Sequence, residues 1–161
     1  MEEAYLYDMQ IVFISVGKTQ EQPYKEPCTM YAGRIARYTT FSWKETADIK
    51  AATPAEMQEK EAALVIKMLL PGDCVVLLDE LGKSFTSKGF AQYIEKKQLA
   101  NVKRLVFILG GAHGFSKTLY ATAQEQIRLS DMTMPHQLVR LVFLEQLYRA
   151  FTILHNEQYH H

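Results

Sequence analysis

Two cysteines, five prolines and one tryptophan are all that this 161-residue chain holds of those three residue types. Two thiols, Cys28 and Cys74, are too few for a disulfide framework, so a reducing, cytoplasmic location is expected. Cys74 stands in an apolar run and reads as a small buried hydrophobe; Cys28 looks incidental. No apolar stretch approaches the roughly 18 residues that a membrane span needs, and no membrane partner is expected. The opening residues lack the basic-then-apolar block of a secretory leader. Net charge is missing too: 18 Lys and Arg balance 18 Asp and Glu. That argues against tight, unspecific binding to naked nucleic acid. No His, Cys, Asp and Glu cluster has metal-ligand spacing, so no metal is expected.

What is present is an uneven distribution. Residues 1–80 carry 8 basic against 13 acidic side chains, whereas residues 81–161 carry 10 against 5. Lys83, Lys88, Lys96, Lys97, Lys103 and Arg104 crowd around a single Glu95. This run is either a solvated face or a surface for an anionic partner.

Strand and helix signals alternate along the chain. "QIVFISV" (10–16) is a strand, residues 25–37 a helix, and "YTTFSW" (38–43) a second strand. Thr53, Pro54 and Glu56 form a capping-box start to a helix that ends at "PGD". "CVVLLDE" (74–80) is apolar on both faces, as a central parallel strand must be. A helix over 86–98, the strand "RLVFIL" (104–109), a helix capped by Ser116 and running to about 126, and the strand "IRLS" (127–130) follow. The last helix starts at Pro135 and reaches about Leu154. The pattern predicts one α/β domain whose mostly parallel sheet has helices on both faces.

Two stretches raise questions of function. "GGAHG" (110–114) follows a buried strand, but G-G-x-x-G is not the G-x-G-x-x-G of dinucleotide binding, and no Gly-Lys-Ser/Thr ending makes it a phosphate loop. It is a bare turn or a place of close backbone approach. The final helix, "PHQLVRLVFLEQLYRAFTIL", is apolar at nearly every angle. Such a helix is expected to be buried on two sides, with a second subunit as one partner and Leu141, Phe143, Leu147 and Phe151 among the contacts.

"LLDELGKSFTS", "ILGGAHGFS", "LSDMTMPHQLVRLVFLEQLYRAFTIL" and the tail "YHH" together resemble the ribosomal RNA large subunit methyltransferase H family, a member of the SPOUT group. The likeness spans residues 9–161 and is most specific over Ser130 to Ala150. It implies a single domain over 9–161, preceded by an extra head over 1–8. It also implies a deep trefoil knot at the C-terminal end, a homodimer, and methylation of ring nitrogen 3 of a pseudouridine in 23S rRNA within the assembled 70S ribosome. The implied methyl donor is S-adenosyl-L-methionine. Carried onto this chain, its binding loops are Leu78, the corner at Gly110, and Leu129, Ser130, Asp131, Met132, Thr133 and Met134. Gln158 departs from the proline that many members have before the terminal Tyr-His, which leaves this tail less rigid. The alternative expectation is a ribosome-binding protein that keeps the fold without the chemistry. A nucleotide-dependent oxidoreductase is disfavoured by the glycine spacing.

Methyl transfer to a uracil-type nitrogen requires in-line positioning and a group that takes the ring proton. His160 and His161 are candidates for that group, and Tyr159 for stacking on the acceptor base. Arg149 joins them as a candidate catalytic residue. Arg140 and Arg149, on an otherwise apolar helix, either pair with Glu145 or face a phosphate across the dimer. Asp79 and Glu80 either hold cofactor hydroxyl or amino groups or are plain loop acids. His136 either caps and packs or serves the adjacent 129–134 loop. His113 is left without an assigned role.

Overall fold

The computed structural model describes residues 8–159. Five strands, β1 (Gln10–Ser15), β2 (Thr40–Glu45), β3 (Cys74–Ser84), β4 (Arg104–Leu109) and β5 (Glu125–Arg128), form one sheet in the order β2-β1-β4-β3-β5. All four pairings are parallel, so the expected mostly parallel sheet is here wholly parallel. Helices α1 (Gln22–Ile35), α2 (Pro54–Ile66), α3 (Ser87–Leu99), α4 (Lys117–Thr122) and α5 (His136–Leu154) make the crossovers and the C-terminal cover.

Alternation along the strands divides the core in two. Ile11, Phe13, Val76, Leu78, Leu105 and Phe107 point to one face and meet α1, α3 and α5 through Cys28, Ile35, Phe90, Ile94, Phe143, Leu147 and Phe151. Val12, Ile14, Val75, Leu77, Val106 and Ile108 point to the other face and meet α2 and α4 through Ala62, Val65 and Leu119. A strand covered on both sides has no use for polar residues, which is why β1, β3 and β4 read as continuous apolar runs.

Several boundaries differ from the sequence expectation. β2 lies two residues later than predicted, because Gln10–Ser15 pairs residue for residue with Thr40–Glu45. Tyr38 instead stacks on Phe151 and donates its hydroxyl to Glu157. β3 continues to Ser84. α4 stops at Thr122, four residues early, since Ala123 is extended and Gln124 is held by Val75: its N–H donates to the Val75 carbonyl at 3.0 Å and its side-chain oxygen accepts from the Val75 N–H at 2.6 Å. That grip starts β5 at Glu125 rather than 127. Cys74 is half-buried rather than buried.

The largest correction concerns α5. Phe143, Leu147 and Phe151 are buried within the single chain, because α5 lies in the trough between α1 and α3 and faces the sheet. Those three side chains are covered by the chain itself, while Leu138, Val142, Glu145, Gln146 and Arg149 of the same helix stay partly exposed. Of the four residues expected at a dimer contact, only Leu141 keeps part of its surface free.

Local signals explain the starts of the helices. Thr53 accepts from the Glu56 N–H, and Glu56 reaches back to the Ala52 N–H rather than to that of Thr53, a displaced form of the expected capping box. Thr86 and Ser116 cap α3 and α4 by accepting from Gly89 and Leu119.

Candidate functional site

β4 and β5 end beside Leu78 of β3 at the carboxyl edge of the sheet, where open α/β folds place their ligands. β3 and β5 pair up to Leu78 and again from Lys83, so residues 79–82 loop out between them. The corner after β4 and the stretch after β5 supply two further walls. Between the three walls lies a cleft of about 600 Å³, within the range that holds a cofactor-sized molecule.

The cleft collects most of the residues singled out in the sequence. Leu78, Asp79, Glu80, Gly110, His113, Leu129, Ser130, Met132, Thr133, Met134 and His136 all line it. Asp131 does not: it turns outward and pairs with Arg128 at 3.0 Å. Leu109, Phe115, Arg128 and Val139 line it without having been singled out. Arg128 gave no signal in a four-residue strand run. It donates to Ser84 Oγ at 3.2 Å, and its buried Nε has no partner among the described residues.

The glycines of the corner answer to the chain itself. A Cβ at Gly110 would press on the Phe115 ring at 3.0–3.3 Å, and one at Gly111 would meet the Glu61 carboxylate at 2.5 Å. Glu61, on α2, is buried beneath the corner, and its carboxylate has neither a hydrogen bond nor an ion pair among the described residues. Burial pushes its carboxyl above the usual range, and the nearby His113 pulls the other way. On the opposite wall, Asp79 accepts from the Tyr120 hydroxyl at 2.5 Å. The Tyr120 phenol is pushed up to about 12 by burial and by that bond.

One end of the cleft is built on a buried arginine. Arg140 is wholly enclosed and donates from Nη1 to Gly17 O, Thr19 Oγ1 and Glu45 Oε2 at 3.0, 2.8 and 2.9 Å. Its Nη2 lies 2.7 Å from both Val16 O and His136 Nε2. Its ion-pair partner is thus Glu45 on β2, and the ion-pair partner of Glu145 is Arg149. Desolvation holds the His136 imidazole below its usual value, with the Arg140 charge acting in the same direction and the Val16 carbonyl against it.

The tail lies elsewhere. Arg149 donates to Glu145 from Nε at 3.0 Å and from Nη2 at 2.5 Å, and lies over the Tyr159 ring at 4.9 Å. The Tyr159 hydroxyl is shared with Tyr31 and Glu145 at 3.1 and 3.2 Å, and its ring packs edge-on to Tyr148. Burial, then the bond to Tyr31, raises the Tyr159 phenol. Neither Arg149 nor Tyr159 lines the cleft; His160 and His161 lie outside the described residues. Of the basic run, Arg104 is an internal partner of Asp73 at 2.9 Å and Lys97 of Glu125, whereas Lys83, Lys88 and Lys96 are exposed.

Among the described residues no helix is long and apolar enough to cross a membrane, and no group of three side chains could hold a metal. A family model described as "Predicted SPOUT methyltransferase" matches residues 9–160. The chain is 48% identical to the Ribosomal RNA large subunit methyltransferase H of Parabacteroides distasonis over 156 residues, 95% of this chain and 99% of that protein. Proteins of the same name from Phocaeicola vulgatus and Flavobacterium johnsoniae are 47% and 44% identical over the same shares.

Proposed function

The chain belongs to the SPOUT methyltransferase family, and from that premise we propose that it methylates large-subunit ribosomal RNA with S-adenosyl-L-methionine as donor. In its finer form the proposal is transfer to ring nitrogen 3 of a pseudouridine in 23S rRNA, within the assembled 70S ribosome. The observation that carries the donor site is the three-walled cleft, which gathers Leu78, Gly110 and five of the six residues from Leu129 to Met134.

The cleft suits that donor. Leu78, Leu109, Leu129, Met134 and Val139 offer apolar walls for a flat heterocycle and a thioether chain. Asp79 and Glu80 offer carboxylates to hydroxyl and ammonium groups and, at longer range, favour a cationic sulfur. The donor supplies a methyl group on a sulfonium, ready for displacement by a nucleophilic nitrogen. The chain's own work is to hold the two reactants in line and exclude water, which is where most of the rate gain of such a reaction lies. The acceptor nitrogen must also lose a proton, and His160 and His161 are the residues we assign to that task. Arg149 positions Tyr159 by stacking on it.

A second copy enters this reading through the tail. Tyr159 packs beside Arg149, some 13 residues along α5 from His136 at the cleft, or ~20 Å at the helical rise. A tail docked there is remote from its own cleft, which supports a homodimer in which each tail serves the partner's cleft. The deep trefoil knot and a cytoplasmic location are carried by the family resemblance. The exposed Lys83, Lys88 and Lys96 would steer the chain to ribosomal phosphate.

Titration calorimetry with S-adenosylmethionine tests the site: saturable one-to-one binding is expected, and no binding would remove the cleft assignment. Light scattering tests the pairing, with twice 18.5 kDa expected and a clean monomer mass contradicting it.

A further inference from the structure

His136 and Arg140 stand one turn apart at the start of α5, and their contact decides which ring nitrogen carries the proton. Arg140 Nη2 is 2.7 Å from His136 Nε2 and 2.7 Å from Val16 O, while His136 Nε2 is itself 3.0 Å from Val16 O. A guanidinium nitrogen can only donate. Its two hydrogens match the two acceptors available, the carbonyl and the imidazole nitrogen. Were a proton on His136 Nε2, two N–H groups would face each other at 2.7 Å in a buried site. The ring is therefore neutral, with its proton on Nδ1. His136 lines the cleft, and its Nε2 is taken up by the Arg140 N–H, which leaves the Nδ1–H for a ligand in the cleft.

We propose that Arg140 locks His136 as a neutral Nδ1–H donor in the cleft, where it hydrogen-bonds an oxygen of the ligand that bears or acquires negative charge. Two oxygens of this chemistry enter the reaction proposed above, on which this part of the inference rests. One is the carboxylate of the methyl donor. The other is the carbonyl beside the acceptor nitrogen, which gains charge as that nitrogen loses its proton. A neutral donor backed by a fixed cation stabilises either one with little reorganisation.

The same geometry removes His136 from the candidates for proton acceptor. Of the groups around it only the Val16 carbonyl favours the charged ring, and burial and the Arg140 cation oppose it. Arg140 lies on its own helix, and the cation is answered by Glu45 from β2 and, at longer range, by Asp48. The start of a helix also disfavours an imidazolium. From the far wall, His113 is the other titratable group of the β4 corner. Burial, the first cause of the low value, acts in the same sense.

Two readouts test this. Long-range ¹H–¹⁵N spectra of the full chain should give His136 an unprotonated Nε2 and a protonated Nδ1 at pH 7, still neutral at the ordinary imidazole value of 6.5. The opposite tautomer, or a charged ring at pH 7, overturns the proposal, and this readout needs neither donor nor ribosome. His136→Phe should lower either donor affinity or, with affinity retained, the rate of methyl transfer, by roughly 10- to 100-fold. The first result identifies the donor carboxylate as the oxygen held, and the second identifies the base carbonyl. A folded variant unchanged in both overturns the donor role. Failure of the parent chain to bind S-adenosylmethionine would instead defeat the cleft assignment and leave the tautomer result standing.

Discussion

Arg140 donates from α5 to Glu45 on β2 at 2.9 Å, with the guanidinium wholly enclosed and the carboxylate about a quarter exposed. This pair ties the last helix to an edge strand and closes the carbonyls of Val16 and Gly17 at the end of β1. Removing the arginine leaves a largely buried carboxylate without its cation and empties a wholly enclosed site. Arg140→Ala is expected to lose about 3–5 kcal/mol of unfolding free energy. Glu45→Gln should lose less, because the amide oxygen can still accept and Arg140 keeps Val16 O, Gly17 O and Thr19 Oγ1 as acceptors. Urea unfolding followed by circular dichroism measures both, and losses under about 1 kcal/mol for Arg140→Ala would contradict this role.

Glu61 should make the fold less stable as pH rises. Its carboxyl is held above the ordinary value by burial, so the folded state binds the proton more tightly than the unfolded chain. The contribution is therefore most favourable in acid and is lost as pH rises from about 4.5 through the folded value. Glu61→Gln is expected to raise the melting temperature at pH 7 and to flatten its pH dependence above 4.5. A variant that melts lower than the parent at pH 7 would mean that the carboxylate has a partner in solution.

Gly111 and Glu61 should be coupled. A Cβ at Gly111 meets the carboxylate at 2.5 Å, so Gly111→Ala must shift the corner or the side chain beneath it. Gly111→Ala is expected to weaken donor binding, and adding Glu61→Ala should recover much of the loss. Additive losses in that double-mutant cycle would count against direct contact as the cause.

Deleting residues 159–161 should cripple methyl transfer while leaving donor affinity within a few-fold and melting nearly unchanged. The Tyr159 ring is held from the side by Tyr148 and Arg149 rather than built into the core. Calorimetry and methyl transfer on the same preparation separate the two effects. Full activity in the truncated chain would relieve the tail of any part in the reaction.

Much of this was legible in the residues, and the rest was not for identifiable reasons. Apolar runs at 10–15, 74–78 and 104–109 announced strands covered on both faces, and the Thr53 and Ser116 caps placed two helix starts. The end of α4 was hidden because Gln124, which stops it, does so through a contact with Val75 about fifty residues away. α5 misled by its uniform apolarity: periodicity reports that a helix is surrounded, not by what. Arg140 could be seen to need a partner, but the sequence offered Glu145 one turn away, and the fold supplied Glu45 from β2 instead. The corner glycines stood out in the sequence as a turn or a close approach; that Phe115 and Glu61 are what crowd them did not.

One measurement addresses methyl transfer to ribosomal RNA itself. Assembled 70S ribosomes and isolated subunits are incubated with the chain and S-adenosylmethionine labelled in its methyl group, and the labelled nucleoside is then isolated from 23S rRNA. The expected result is one methyl per 70S particle, on ring nitrogen 3 of a pseudouridine, with little label in isolated subunits. Label on another nucleotide, or none in any particle from a chain that binds the donor, would contradict the account.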